Sequence, residues 1–110
     1  MKNVDIFDAF IALCPEIERK GKTVPHTSDN GYMFTLLNKD GEIGIRLGKE
    51  DQEAFKKEHN TTIYKSHGAV MKDYVLVPIP LFENEKLMKQ YLLKSWDFVK
   101  SLPPKKGKKK

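Results

Sequence analysis

The residues able to do chemistry are few, and most gather around one stretch. His67, Lys72, Asp73 and Tyr74 surround a glycine-bearing loop that begins at His67-Gly68. An imidazole, an amine and a phenol this close in sequence could support general acid–base chemistry if they converged in a pocket. The plainer reading of His67 is a loop histidine facing water. Arg46 and Lys72 both adjoin apolar positions. With His67 and Tyr74 they form a candidate patch for an anion or a partner. The competing reading pairs the two cations with Asp73, Glu42 or Asp40 as surface ion pairs, which stabilise little.

Other constellations are thinner. His26, His59, His67 and Cys14 are scattered, with no Cys-x-x-Cys or His-x-x-x-His spacing, so no metal site is expected. Cys14 falls on the apolar side of the first helix and reads as a small core residue, and Trp96 likewise reads as core rather than a ligand platform. Gly41 and Gly44 belong to a hairpin, and no glycine-rich phosphate loop precedes a helix, so no cofactor is called for.

Charge separates the chain into two parts. Of the 20 Lys and Arg residues, five (Lys105, Lys106, Lys108, Lys109 and Lys110) lie in the last six positions, leaving residues 1–104 with no net charge. The expectation is one domain over 1–104 and a disordered lysine-rich tail over 105–110. Lysines in such a tail could neutralise phosphates weakly and without sequence preference; a solvated terminus that aids solubility is the simpler account. One cysteine excludes an internal disulfide. The N-terminus lacks an apolar signal core, and no apolar run nears the roughly 20 residues that span a bilayer. A soluble cytoplasmic protein with no membrane contact is expected.

The elements that must position these residues read as follows. Asn3 is a candidate N-cap for an amphipathic helix carrying Ile6, Phe10, Leu13 and Ile17, which Pro15 kinks or divides and Gly21 ends. Thr23–Thr27 is a weak strand, 28–31 a turn, and Tyr32–Leu37 a strand. Asn38-Lys39-Asp40-Gly41 is a tight turn into a period-two strand in which Ile43, Ile45 and Leu47 face inward and Arg46 lies on a wet face. Lys49–His59 is a charged helix anchored by Ala54 and Phe55, with Asn60 as a left-handed cap. Thr61–Lys65 is a short strand. Met71–Pro78 holds the most strand-like run, Tyr74–Val77, buried on both faces or at a sheet centre. Asn84 caps a last helix to Leu102, with Met88, Tyr91, Leu92, Trp96 and Val99 on one face, and Pro103-Pro104 stop it. The order is an α+β fold, α-β(3)-α-β(2)-α, with helices packed on an antiparallel sheet.

Four strings in this order resemble the TfoX N-terminal domain family: Asn30-Gly31-Tyr32-Met33-Phe34, Ile45-Arg46-Leu47, the run Val70–Pro78 with its Met-Lys-acidic-Tyr-Val-x-Val-Pro pattern, and Ser95–Lys105 with its Ser-Leu-Pro-Pro-Lys ending. The similarity covers roughly residues 23–105 and implies the same α-β(3)-α-β(2)-α order, like the secretion-chaperone and YjbR-type folds. Where the family often carries Met-Phe-Gly-Gly, this chain reads His26 to Gly31. Longer TfoX proteins add a C-terminal domain and regulate natural competence genes with a transcription activator; the residues here read as the N-terminal domain alone.

Three functions follow as expectations. The first is a small non-enzymatic regulatory module that binds a protein partner through a sheet edge or the sheet face opposite the helices. The second is a nucleic-acid-associated regulator of transcription or competence, aided by the basic tail. The third is an enzyme of a small substrate using His67, Lys72 or Tyr74. A homodimer is left open.

Overall fold

A computed structural model of the chain describes residues 2–66 and 68–103. His67 and the lysine run 105–110 therefore lie outside the described residues.

The first helix, α1 (Val4–Ala12), buries Phe7, Phe10 and Ile11. It stops well before Gly21. Pro15 has no N–H, and its ring would crowd the carbonyl of Ile11; that carbonyl instead accepts from the Cys14 N–H at 3.0 Å in a tightened last turn. Cys14 is buried, and burial pushes its thiol up, with Lys89 opposing. Asn3 precedes the helix but does not cap it. It adopts a left-handed φ of 66°, and its amide donates to the Gly41 carbonyl at 2.7 Å.

Strands β1 (His26–Asp29) and β2 (Tyr32–Leu37) form a hairpin closed by Asn30-Gly31, both left-handed at φ 56° and 84°. The first strand begins later than expected, because Pro25 cannot donate to a ladder. Asn38 organises the next turn. Its Oδ1 accepts from the N–H groups of Asp40 (3.0 Å) and Glu42 (2.9 Å) and leads into β3 (Ile43–Arg46). Helix α2 (Lys49–His59) ends on Asn60 at φ 52°. Phe55 anchors it; Ala54, the other expected anchor, is exposed. Strands β4 (Ile63–Ser66) and β5 (Ala69–Val77) follow, then a 3-10 helix (Ile79–Glu83) not foreseen from the sequence, and α3 (Glu85–Ser101). Asn84 caps α3, accepting from the Leu87 N–H at 3.1 Å.

The five strands are antiparallel in the order β1-β2-β3-β5-β4. Residues of all three α-helices pack on one face, where Phe7, Phe55, Met88 and Leu92 meet Ile43, Ile45, Val75 and Val77. The fold is thus α+β in the expected order, and β5 is paired on both sides and buried through Tyr74, Val75 and Val77.

The opposite face departs from expectation. The face of β3 that carries Arg46 was expected to be wet, yet Arg46 is only partly exposed and Gly44, two residues before it, is buried beneath the Tyr64 ring. A Cβ at Gly44 would sit 2.5 Å from that ring, so only glycine allows the approach. The Tyr64 hydroxyl reaches the carbonyls of Glu42 (2.9 Å) and Leu36 (3.1 Å), which means edge strand β4 curls back over the sheet. The curl follows from an irregular β4–β5 ladder. Between the pairs Ile63–Val75 and Lys65–Val70, Tyr64 alone faces Met71–Tyr74. Tyr64, Tyr74 and Leu36 thereby form a second small core, flanked by Val24, Met33, Met71 and Leu76.

Candidate functional site at Arg46

Two irregularities create a wedge in the sheet. In β2 the pairing runs Thr27–Thr35 and then Ser28–Met33, leaving Phe34 as an extra, bulged residue. Strands β2 and β3 then pair only from Thr35–Ile45 to Leu37–Ile43. Beyond that point α3 fills the gap. The Ser95 hydroxyl lies 2.5 Å from the Arg46 carbonyl and 3.2 Å from that of Phe34, and donates its single proton between them.

The Arg46 side chain occupies the mouth of this wedge. Its guanidinium carbon lies 5.3 Å from the centre of the Tyr32 ring and 5.9 Å from that of Phe98. Aromatic faces attract a cation, by about 0.5–2 kcal/mol depending on desolvation. The ionic partner is Asp73, whose Oδ2 is 3.4 Å from Nη2, with the two side chains 21% and 29% exposed. That distance is long for a charge-assisted bond, which is ordinarily about 2.7–2.9 Å. Arg46 Nε is buried and has no hydrogen-bond partner. The guanidinium is therefore held by two rings but only loosely by its carboxylate.

Asp73 is placed by its backbone. Its φ of 71° is left-handed, a conformation that aspartate tolerates better than most residues. Its carbonyl accepts from the Leu47 N–H at 3.0 Å, and its Oδ1 accepts from Gln52 Nε2 at 3.2 Å. The same Gln52 amide donates to the Leu47 carbonyl at 2.8 Å, so the first turn of α2 braces the carboxylate.

Tyr74 is the register partner of Arg46 across β3 and β5. Its hydroxyl donates to the Met33 carbonyl at 2.7 Å. Burial pushes the phenol well above its ordinary range, and the charge of Arg46 opposes the shift. Tyr64 is raised as well, by burial and then by Glu42 and Tyr74. Both hydroxyls are spent on backbone carbonyls inside the second core.

The end of α3 is tied to the same place. Asn30 Nδ2 donates to the carbonyls of Val99 (2.9 Å) and Leu102 (2.7 Å), capping the helix from the β1–β2 turn. The Tyr32 hydroxyl donates to the Pro103 carbonyl at 2.6 Å. Trp96 Nε1 donates to Asp29 at 2.6 Å, and the Lys100 amine lies 4.2 Å from the centre of its ring.

Of the residues singled out from the sequence, Arg46 and Tyr74 come together and Asp73 joins them. Lys72 is exposed and shares no ion pair or hydrogen bond with Arg46 or Asp73. Tyr32, Phe98, Ser95, Gln52 and the amide of Asn30 were not foreseen as parts of the site. Ser95 alone left a trace, as a small polar residue between Leu92 and Val99 on the apolar stripe of α3. Among the described residues no group of three or more His, Cys, Asp or Glu side chains could hold a metal ion, and no helix is long and apolar enough to cross a membrane.

Compared with family models, with curated proteins and with solved structures, the chain matches none.

Proposed function

We propose that this chain is a small non-enzymatic interaction module, similar to the TfoX N-terminal domain, in which Arg46 receives a carboxylate from an acidic segment of a protein partner. The observation that carries the reading is the undersaturated guanidinium: a buried Nε with no acceptor, and an ion pair to Asp73 stretched to 3.4 Å. A buried donor without a partner costs about 1–3 kcal/mol, which an incoming acceptor would recover. Tyr32 and Phe98 keep the fork from collapsing, so little side-chain freedom is lost on binding. A regulatory role in the cytoplasm goes with this reading.

One observation favours a nucleic-acid reading beside it. The Pro103 carbonyl accepts from the Tyr32 hydroxyl at 2.6 Å, so the last described residue is held on one of the rings that flank Arg46, and five lysines follow it in the sequence. Five lysines in contact with phosphates would give a salt slope near −4. An amide NMR titration separates the two, using a glutamate-rich peptide and a short DNA duplex as probes. It is run on the full chain and on a version ending at Pro103. Peptide-induced shifts at Arg46, Leu47 and Asp73 that persist in the shorter chain are expected. DNA shifts at those residues in the shorter chain would replace the protein-partner reading, and no shift there with either probe would remove Arg46 as a site.

A further inference from the structure

Two surfaces lie outside the Arg46 site. One is a cleft of about 300 Å³ at the start of α3, between α1 and the 3-10 helix, floored by Ile6, Phe10, Leu13 and Phe82, with Glu83 and Glu85 on its rim. No basic residue lines it, so two copies of this chain would meet there with like charges. The other surface is the free edge of the sheet at β4, and it has the opposite property.

The ladder shows which backbone groups that edge leaves open. Ile63 is the register partner of Val75, and the Leu76 N–H donates to the Thr62 carbonyl at 3.0 Å. In an antiparallel pair such a bond brackets Ile63, so its own N–H and C=O turn away from β5. Among the described residues neither group has a partner. The opening is short. On one side the Thr61 N–H is spent on the Lys56 carbonyl at 3.1 Å, and on the other the Lys65 carbonyl accepts from Asn38 Nδ2 at 2.8 Å. A peptide added as a new strand needs a row of free groups. One open residue suits a two-fold crossing instead, in which the Ile63 of each copy exchanges both hydrogen bonds with that of the other.

The side chains agree. Along β4, Tyr64 and Ser66 are buried while Ile63 and Lys65 are exposed. Val70 is the register partner of Lys65 and shares its face. Ile63 and Val70, 40% and 57% exposed, are two of the three exposed large apolar residues among those described, so this corner holds most of the uncovered apolar surface of that kind. The adjoining groove is lined by Glu42, Thr62, Ile63, Lys65 and Leu76 and so carries one acid and one base. Neither forms a salt bridge among the described residues. A two-fold axis turns the acid of each copy toward the base of the other, which a surface of one sign cannot do.

We infer that the chain associates with a second copy through the β4 edge, as an isologous pair centred on Ile63. The inference is independent of the Arg46 reading. One ladder step and a few side chains place the contact among small, transient interfaces, below about 1,200 Å² in total, so it is populated at high protein concentration.

The test is sedimentation velocity and amide NMR from about 20 μM to about 1 mM protein on the full chain, Ile63→Lys and Ile63→Pro. In the lysine variant like charges face each other across the axis. The proline variant loses the outward N–H but no bond to β5. Ile63 is exposed, so Ile63→Lys is expected to fold, and its amide spectrum verifies this. The full chain should rise toward the mass of two copies, with exchange of the Ile63 amide slowing as it does. Both variants should associate at least about tenfold more weakly. In a mixture of isotope-labelled and unlabelled full chains, the Ile63 side chains of two copies should show a direct magnetisation transfer. A full chain that stays monomeric at about 1 mM overturns the inference. So does growth beyond two copies, association undiminished in Ile63→Lys, or intermolecular transfer confined to other surfaces.

Discussion

The two ends of α3 solve opposite problems. At its C-terminal end a cation is drawn inside, flanked by Tyr32 and Phe98, and left with an unpartnered Nε. At its N-terminal end apolar side chains remain open to solvent under two carboxylates. One end has more hydrogen-bond donors than acceptors; the other has apolar surface without a cover. Polar geometry dominates the first end, and shape and charge the second. Changes at one end should leave the other intact.

The strongest perturbation strikes between them. Gly44→Ala places a Cβ against the Tyr64 ring and should cost about 3 kcal/mol, read from the midpoint of urea denaturation. Tyr64 would leave the second core, and the Tyr74 side of the Arg46 wedge would loosen before the cleft does. High pH should act on the same core. Unfolded phenols release their protons near pH 10, whereas folded Tyr64 and Tyr74 keep theirs, so the folded state binds more protons above that pH. Stability should be level up to about pH 9 and fall as pH rises beyond about 10. A denaturation series that stays flat to pH 11 would contradict the buried tyrosines.

Smaller changes sharpen the contrast. Asn30→Gly keeps the left-handed turn but removes the amide from the Val99 and Leu102 carbonyls. A loss of about 1 kcal/mol is expected, with hydrogen exchange speeding up in the last turn of α3 and unchanged around Phe10 and Phe82. Arg46→Met keeps the stem between the rings and removes the orphaned donor, so stability should stay within about 1 kcal/mol of the parent while acidic-peptide binding disappears. Ala9→Leu, which fills the exposed cleft, should move the urea midpoint by no more than the equivalent of about 0.5 kcal/mol and leave the Arg46 end unchanged.

Much of the fold was legible because its local signals agree. Asn38 to Gly41, Asn60 and Asn84 act as turn and caps as their chemistry suggests, and Tyr32–Leu37 is a strand over the residues expected. The errors share one cause, which is tertiary. Asn3 had the composition of a cap, but its amide is claimed by Gly41, distant in sequence. The alternation of Ile43, Ile45 and Leu47 identified an inner face correctly; it could not show that Tyr64 from another strand would cover the outer one. Arg46 was found from its apolar neighbours, and Tyr74 from the run that carries it. Tyr32 and Phe98 were missed, because a bulge at Phe34 and the splay of two strands leave no mark in a single sequence.

The chain has only two arginines, Arg19 and Arg46, so their Nε–H signals can be told apart by NMR, with Arg19 bonded to Asp8 at 2.8 Å as an internal reference. The decisive measurement follows the Arg46 Nε–H signal during addition of a glutamate-rich peptide, with Arg46→Met as the control chain. The account predicts that this signal moves and its exchange with water slows as peptide is added, that Arg19 stays still, and that the control chain no longer binds. A still Arg46 signal while the peptide binds elsewhere, or full binding by Arg46→Met, would contradict the claim that Arg46 awaits an acidic partner.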